Sequence, residues 1–207
     1  MPVITDIQPQ KKRQGYYNIF IDGKYTLSLT EDDIVSFQLK PEQIIDDNLL
    51  SDIHQAYVAS KCYNYSLRYL AVRPRSINEV REYLVRRKGF DEDEVNQAIQ
   101  TLLEKRYLDD NDFARIWIRN RMQLSQKPLS MIRLELLKKG VDKDVISACI
   151  NDVEEDEQLE VLKTLIIKKI RIPKFRDKQK LTDFLARRGY SYSLIQKAFV
   201  ELALFED

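Results

Sequence analysis

Glycine is scarce in this chain of 207 residues: there are five, Gly15, Gly23, Gly89, Gly140 and Gly189. A phosphate-cradling P-loop needs two glycines around a tight turn followed by Lys and Ser or Thr, and a dinucleotide fingerprint needs three within six residues. Neither pattern occurs. Histidine is scarcer still. With His54 alone there is no Ser–His or Cys–His pair to activate a nucleophile, and no histidine cluster to hold a metal. The two cysteines, Cys62 and Cys149, lie far apart and read as small buried hydrophobes in a reducing compartment. No apolar run approaches the length of a membrane span, and the first residues lack the apolar core of a signal peptide, so a cytoplasmic protein is expected. Nothing here asks for a cofactor, and the composition points away from an enzyme.

What the chain has in plenty is charge, with 34 Lys and Arg against 33 Asp and Glu. Its 43% hydrophobic content suffices for a packed core in one or two domains. Residues 1–58 read as a small segment containing a β-hairpin. The runs 16–21 and 24–29 are aromatic and β-branched, and Asp22-Gly23 between them is a strong signal for a type I′ turn. Residues 3–7 offer a third strand. Residues 31–52, broken by Pro41, suggest short helices or loop before a longer helix near 50–71.

Beyond residue 60 the pattern is helical and repeats. Gly89, Gly140 and Gly189 align three stretches of sequence. Six residues after each glycine stand Val95, Ile146 and Ile195; nine after stand Ala98, Cys149 and Ala198. Ile99, Ile150 and Phe199 follow at ten, and Leu102, Val153 and Leu202 at thirteen. Those offsets share one face of an α-helix. Before each glycine a cation stands in the last turn (Lys88, Lys139, Arg188), and an apolar residue follows, the signature of a left-handed helix C-cap. Pro74, Pro128 and Pro173 mark where a first helix stops and a second begins. Ser76 with Glu79, and Asp91 with Glu94, form capping boxes, and Ser130, Asp142 and Ser191 sit at equivalent helix starts. The expected fold is mainly α: three tandem three-helix repeats over residues 59–109, 110–155 and 156–207, stacked as an elongated curved solenoid.

Charge segregates with the repeat. Residues 61–88 carry net +6, 113–139 net +6 and 163–188 net +8, whereas 89–112 carry −6, 140–160 −7 and 189–207 −2. The first two helices of each repeat are therefore basic and the third acidic or nearly neutral, so an anionic partner is expected on the basic side. A helix-turn-helix reading, with the third helix in the major groove, meets the wrong sign: one such helix begins Asp91-Glu92-Asp93-Glu94, and the next holds Asp142 and Asp144. Asp109, Asp110 and Asp112 could suggest a metal-bound nuclease centre, but a helix cap followed by favourable first-turn acids explains them better. Trp117 and Tyr107 are expected in the core. His54 is expected at or near the surface.

The run Tyr69-Leu70-Ala71, Arg73, Arg75-Ser76, Glu79-Val80, Leu84, Lys88-Gly89-Phe90, then Tyr107-Leu108-Asp109-Asp110 and Phe113-Ala114, closely resembles the signature of the RecX family. Ile132, Leu136 and Lys139-Gly140-Val141 look like that family's second repeat, and Leu185 with Arg188-Gly189-Tyr190 like its third. Arg106 departs from the pattern, standing where a glycine commonly precedes the Tyr-Leu-Asp-Asp run. The resemblance implies a non-catalytic bacterial regulator that binds the RecA nucleoprotein filament in its groove. Such a protein restrains filament growth, ATP hydrolysis, strand exchange and the SOS co-protease activity. A monomer is expected, with at most weak contact to single- or double-stranded DNA and none to membrane. Charge and periodicity, rather than the family pattern, select the partner-binding candidates: Arg73, Arg75, Arg86, Arg87, Lys88, Arg115, Arg119, Lys138, Lys139, Arg187 and Arg188. The alternative is a stand-alone helix-turn-helix-like DNA-binding regulator.

Overall fold

The computed structural model describes residues 1–205; the last two residues of the third expected repeat lie outside it. A three-stranded antiparallel sheet comes first, in the order β1 (Ile4–Pro9), β2 (Tyr16–Ile21) and β3 (Lys24–Thr30). The Asp22-Gly23 turn has φ of 50° and 75°, the double positive value of a type I′ hairpin, and pairs Ile21 with Lys24. Ile4, Ile19, Ile21, Leu27 and Leu29 form the buried face. A short helix, α1 (Glu31–Ser36), follows behind a Thr30–Asp33 capping box.

The long helix α2 (Asp47–Leu70) runs without a break through residues 58–59 and serves two cores. Its Ile53 packs under the sheet. Further along, buried Cys62 and Ser66 belong with α4 (Glu92–Glu104), whose Val95, Ala98, Ile99 and Leu102 form the stripe expected after Gly89. Burial, with a smaller push from Glu94, raises the Cys62 thiol to about 12, so it is a packing residue and not a nucleophile.

Between α2 and α4 lies α3 (Ile77–Glu82), which widens into a π-helical turn, residues 83–88, before Gly89 closes it in the left-handed conformation. The second repeat comprises α5 (Asp110–Ser125), α6 (Leu129–Lys138) and α7 (Lys143–Asn151). The third comprises α8 (Glu155–Ile170), a short 3₁₀ turn at Pro173–Arg176, α9 (Lys178–Arg187) and α10 (Tyr192–Glu201).

The chain divides into two compact units. One holds residues 1–73 and 80–107; the other holds residues 74–79 and 108 onward. The first turn of α3 therefore groups with the second unit, and its hydrogen bonds show why. Ser76 caps α3 by accepting from Glu79 N (3.1 Å), and its own hydroxyl donates to the carbonyl of Lys139 at the end of α6 (2.7 Å). The same device recurs one repeat on. Ser130 Oγ donates to the carbonyl of Gly189 at the end of α9 (2.8 Å). This corrects the expected role of Ser130: Pro128 is the N-cap of α6, and the serine hydroxyl joins the next repeat. Asp142 and Ser191 do cap α7 and α10, accepting from Asp144 N (2.7 Å) and Leu194 N (3.3 Å).

Tyr107 is a second correction. It is 58% exposed, because Arg106 adopts φ of +57° and turns the chain so that Leu108, 3% exposed, takes the buried place. The acids that follow are structural. Asp109 caps α5, accepting from the amides of Asn111 (2.7 Å) and Asp112 (3.3 Å). Asp110 accepts from Ile77 N (2.9 Å), satisfying an orphan amide at the start of α3. Trp117 is half-buried against the second repeat's core, and His54 is exposed.

Candidate partner-binding surface

The second helix of each repeat ends on two cations and a glycine: Arg87-Lys88-Gly89, Lys138-Lys139-Gly140 and Arg187-Arg188-Gly189. The two cations differ in what they do. The one nearer the glycine lies on an aromatic ring each time. Lys88 Nζ sits over Tyr65 (4.5 Å) and Tyr83 (5.5 Å), the latter stacked on Tyr69 with centroids 4.0 Å apart. Lys139 Nζ sits over Trp117 (4.3 Å) and is paired with Glu79 at 2.7 Å, both side chains less than a fifth exposed. The Arg188 guanidinium lies over Phe184 (5.7 Å) and donates to the carbonyl of Ser125 (3.3 Å). These contacts tie the cation to the rings around it.

The cation one residue earlier faces solvent each time. Arg87, Lys138 and Arg187 are all exposed, and among the described residues none has a carboxylate within ion-pair distance. Successive residues on a helix are about 100° apart, so in the second and third repeats one cation turns outward while the other is partly covered, whereas Lys88 in the first stays exposed beside Arg87.

The remaining candidates are spread out. Arg86 makes a loose 3.8 Å pair with Glu82 on its own helix. Arg73 and Arg75 are half-buried in the link before α3. Arg115 and Arg119 stand on one wall of a groove of about 550 Å³ between α5 and α8, floored by Ile118, Met122 and Val161. Asp152 and Glu160 line the other wall, and Arg115 is already paired with Asp152 at 3.4 Å.

Arg121 and Lys127, which also add to the basic count, share one carboxylate and are partly neutralised by it. Both pair with Glu135, which also accepts from Trp117 Nε1 at 2.9 Å. Burial pushes the Glu135 carboxyl up, but the hydrogen bonds from Lys127 and Trp117 and the nearby Arg121 charge outweigh it and hold the pKa below its ordinary 4.5. A carboxylate depressed on folding stabilises the fold above its unfolded pKa and loses that contribution as pH falls through the folded value. Glu135→Gln is therefore expected to lower the melting temperature at pH 7. The gap to the parent should close as pH drops below 4.5, which thermal denaturation across a pH series would show.

Sequence reasoning missed a second basic feature because it joins elements remote in the chain. Arg13, in the β1–β2 loop, and Lys61 and Arg68, on α2, surround a tyrosine-lined cleft of about 210 Å³ in the first unit. Among the described residues no three His, Cys, Asp or Glu side chains gather as a metal site, and no helix is long and apolar enough to cross a membrane.

Comparison with known proteins accounts for nearly the whole chain. The RecX N-terminal domain family matches residues 2–46, and the first, second and third three-helix domains of RecX match 62–102, 109–150 and 155–199. A regulatory protein RecX from Lactobacillus delbrueckii subsp. bulgaricus is 32% identical over 98% of this chain and 75% of its own length. The regulatory protein RecX of Bacillus cytotoxicus is 32% identical over 100% of this chain and 79% of its own. A crystal structure of a regulatory protein RecX superposes with a TM-score of 0.77 at 27% identity, covering 95% of this chain and 98% of that one. RecX from Lactobacillus salivarius gives 0.64 at 28% identity, over 72% and 98%.

Proposed function

The chain belongs to the RecX family of regulatory proteins, and we propose that it regulates the RecA recombinase by binding the RecA nucleoprotein filament in its groove. In this reading the protein carries out no chemistry. It restrains filament growth, and with it ATP hydrolysis, strand exchange and SOS co-protease activity, as a cytoplasmic monomer. The observation that carries the reading is the recurrence of one solvent-facing cation at the same place in each repeat: Arg87, Lys138 and Arg187. A repeated filament of identical subunits presents repeated acidic or phosphate groups, and a repeated cation is the complementary arrangement. The acidic first turn of α4, with Glu92, Asp93 and Glu94, disfavours the reading in which a third helix enters a DNA groove.

The test is the single-stranded-DNA-dependent ATPase of cognate RecA, titrated with this protein at fixed salt beside a DNA-only binding control. Inhibition is expected well below the concentration that coats bare DNA. Absence of inhibition, with tight sequence-dependent duplex binding in the control, would assign the three-helix repeats to direct DNA reading instead.

A further inference from the structure

The cleft in the first unit has two properties that seldom coincide by accident. Its lining includes three cations, Arg13, Lys61 and Arg68, and no carboxylate. It also includes four phenol rings, from Tyr16, Tyr25, Tyr57 and Tyr65. The first property selects an anion and the second a flat ring; a ligand that is both is a nucleotide.

The fold builds this cleft from both sides. On α2, Tyr57, Lys61, Tyr65 and Arg68 recur at intervals of four, four and three, which places them on one helical face. On the sheet, strand alternation turns Tyr16 and Ser28 away from the face that buries Ile19, Leu27 and Leu29. Tyr25 joins them through a β-bulge. The register shifts between Ile19 and Phe20, so Tyr25 pairs with Phe20, and its hydroxyl lies 3.0 Å from Ser28 Oγ. Tyr25 is left 54% exposed at the rim.

Polar contacts fix the rings. Asn64 Nδ2 donates to Tyr16 Oη (3.0 Å), and the Arg13 guanidinium lies 3.5 Å from the centre of the Tyr16 ring. A planar cation occupies that face, so a base stacks there only as Arg13 moves off the ring toward the phosphate backbone. Lys61 Nζ approaches the Tyr57 ring to 5.5 Å. Tyr65 continues the track, since Lys88 lies over it.

We propose that this cleft binds single-stranded nucleic acid, with bases against the tyrosine rings and the sugar–phosphate backbone along Arg13, Lys61 and Arg68. A duplex does not fit the proposal, because its bases are already stacked and their faces are covered. The site is independent of the filament reading, and its test contains no RecA.

The experiment is fluorescence anisotropy of a labelled 20-nucleotide oligo-dT with the full-length protein, in a salt series. The variant Arg13→Glu/Lys61→Glu/Arg68→Glu removes the phosphate contacts. It is expected to weaken binding at least tenfold and to flatten the salt slope by about 2, roughly 0.7 for each single-strand phosphate. Tyr25→Ala, at the exposed rim where folding is not at stake, is expected to weaken binding roughly tenfold while the salt slope stays put. A charge-matched control, Lys143→Glu/Lys168→Glu/Lys178→Glu, alters exposed lysines of the second unit and is expected to bind as the parent does. The proposal is overturned if the parent gives no anisotropy change at micromolar concentration, or if Tyr25→Ala binds unchanged. It is equally overturned if the control loses as much as the cleft variant, or if a blunt duplex competes as well as the single strand.

Discussion

The variant Arg87→Glu/Lys138→Glu/Arg187→Glu is expected to fold and yet to inhibit RecA at concentrations two to three orders of magnitude above the parent's, at about tenfold per reversed charge. Folding is expected because none of the three side chains has an ion-pair partner among the described residues and all are exposed. The cost to stability is an acid in the last turn of a helix, about 0.5 kcal/mol at each site. The neighbouring cations supply the contrast. Lys139→Ala removes one of the charged contacts of Glu79 and uncovers Trp117, so it is expected to lower stability before it touches filament binding. Circular dichroism melts and the RecA ATPase titration, run on both proteins, separate the two roles. If the triple variant inhibits at the parent's concentration, the outward cations are only a solvated surface.

Gly140→Ala should be the most damaging single-methyl change in the chain. The backbone there has φ of +73°, which costs an L-residue about 1–2 kcal/mol. The added Cβ would also lie 2.5 Å from Asn78 Cβ, an atom fixed close to its own backbone on α3. Relieving that overlap costs about 1–3 kcal/mol more, so a total near 3 kcal/mol and a fall in melting temperature of roughly 10 °C or more are expected. Gly89→Ala is the control. Its φ is +74°, yet nothing lies within 4 Å of the new methyl, so only the backbone penalty remains. Denaturation of the two proteins side by side would decide the matter. Equal melting temperatures would mean that the packing of α3 on the end of α6 yields freely.

Glycine is also the key to how much the sequence disclosed. Gly89, Gly140 and Gly189 are all left-handed helix ends, and nine of the twelve residues counted from them are buried, with Ile150, Val153 and Leu202 partly so. That much is local chemistry: only one residue type suits the conformation, and the period of 3.6 does the rest. The hairpin and the caps other than that of α6 were legible for the same reason. The choice between adjacent cations was not. Lys138 and Lys139 have identical side chains on one turn, and what separates them is Trp117 on another helix. Tyr107 misled because its apolar character fits the stripe, whereas the positive φ of Arg106 breaks the stripe just before it. The tyrosine cleft depends on a bulge in β3 and on contacts such as Asn64 to Tyr16 across 48 residues, and no short-range pattern encodes either.

The π-helical turn in the first repeat takes up one residue more than the other repeats have at that place. From the N-cap of the second helix to the closing glycine is 13 residues in that repeat, Ser76 to Gly89, but 12 in the others, from Pro128 to Gly140 and from Asp177 to Gly189. A π turn takes up one residue more than an α turn while restoring the helix on either side. The surplus residue is swallowed between Tyr83 and Lys88, and the Arg-Lys-Gly ending keeps its phase with its two counterparts. This helix is therefore longer by one residue and still ends on the same Arg-Lys-Gly pattern of two cations and a glycine. Indels in this part of the lineage should collect in residues 83–88, where a bulge can form or vanish, and be rare in α6 and α9, which have no slack to give.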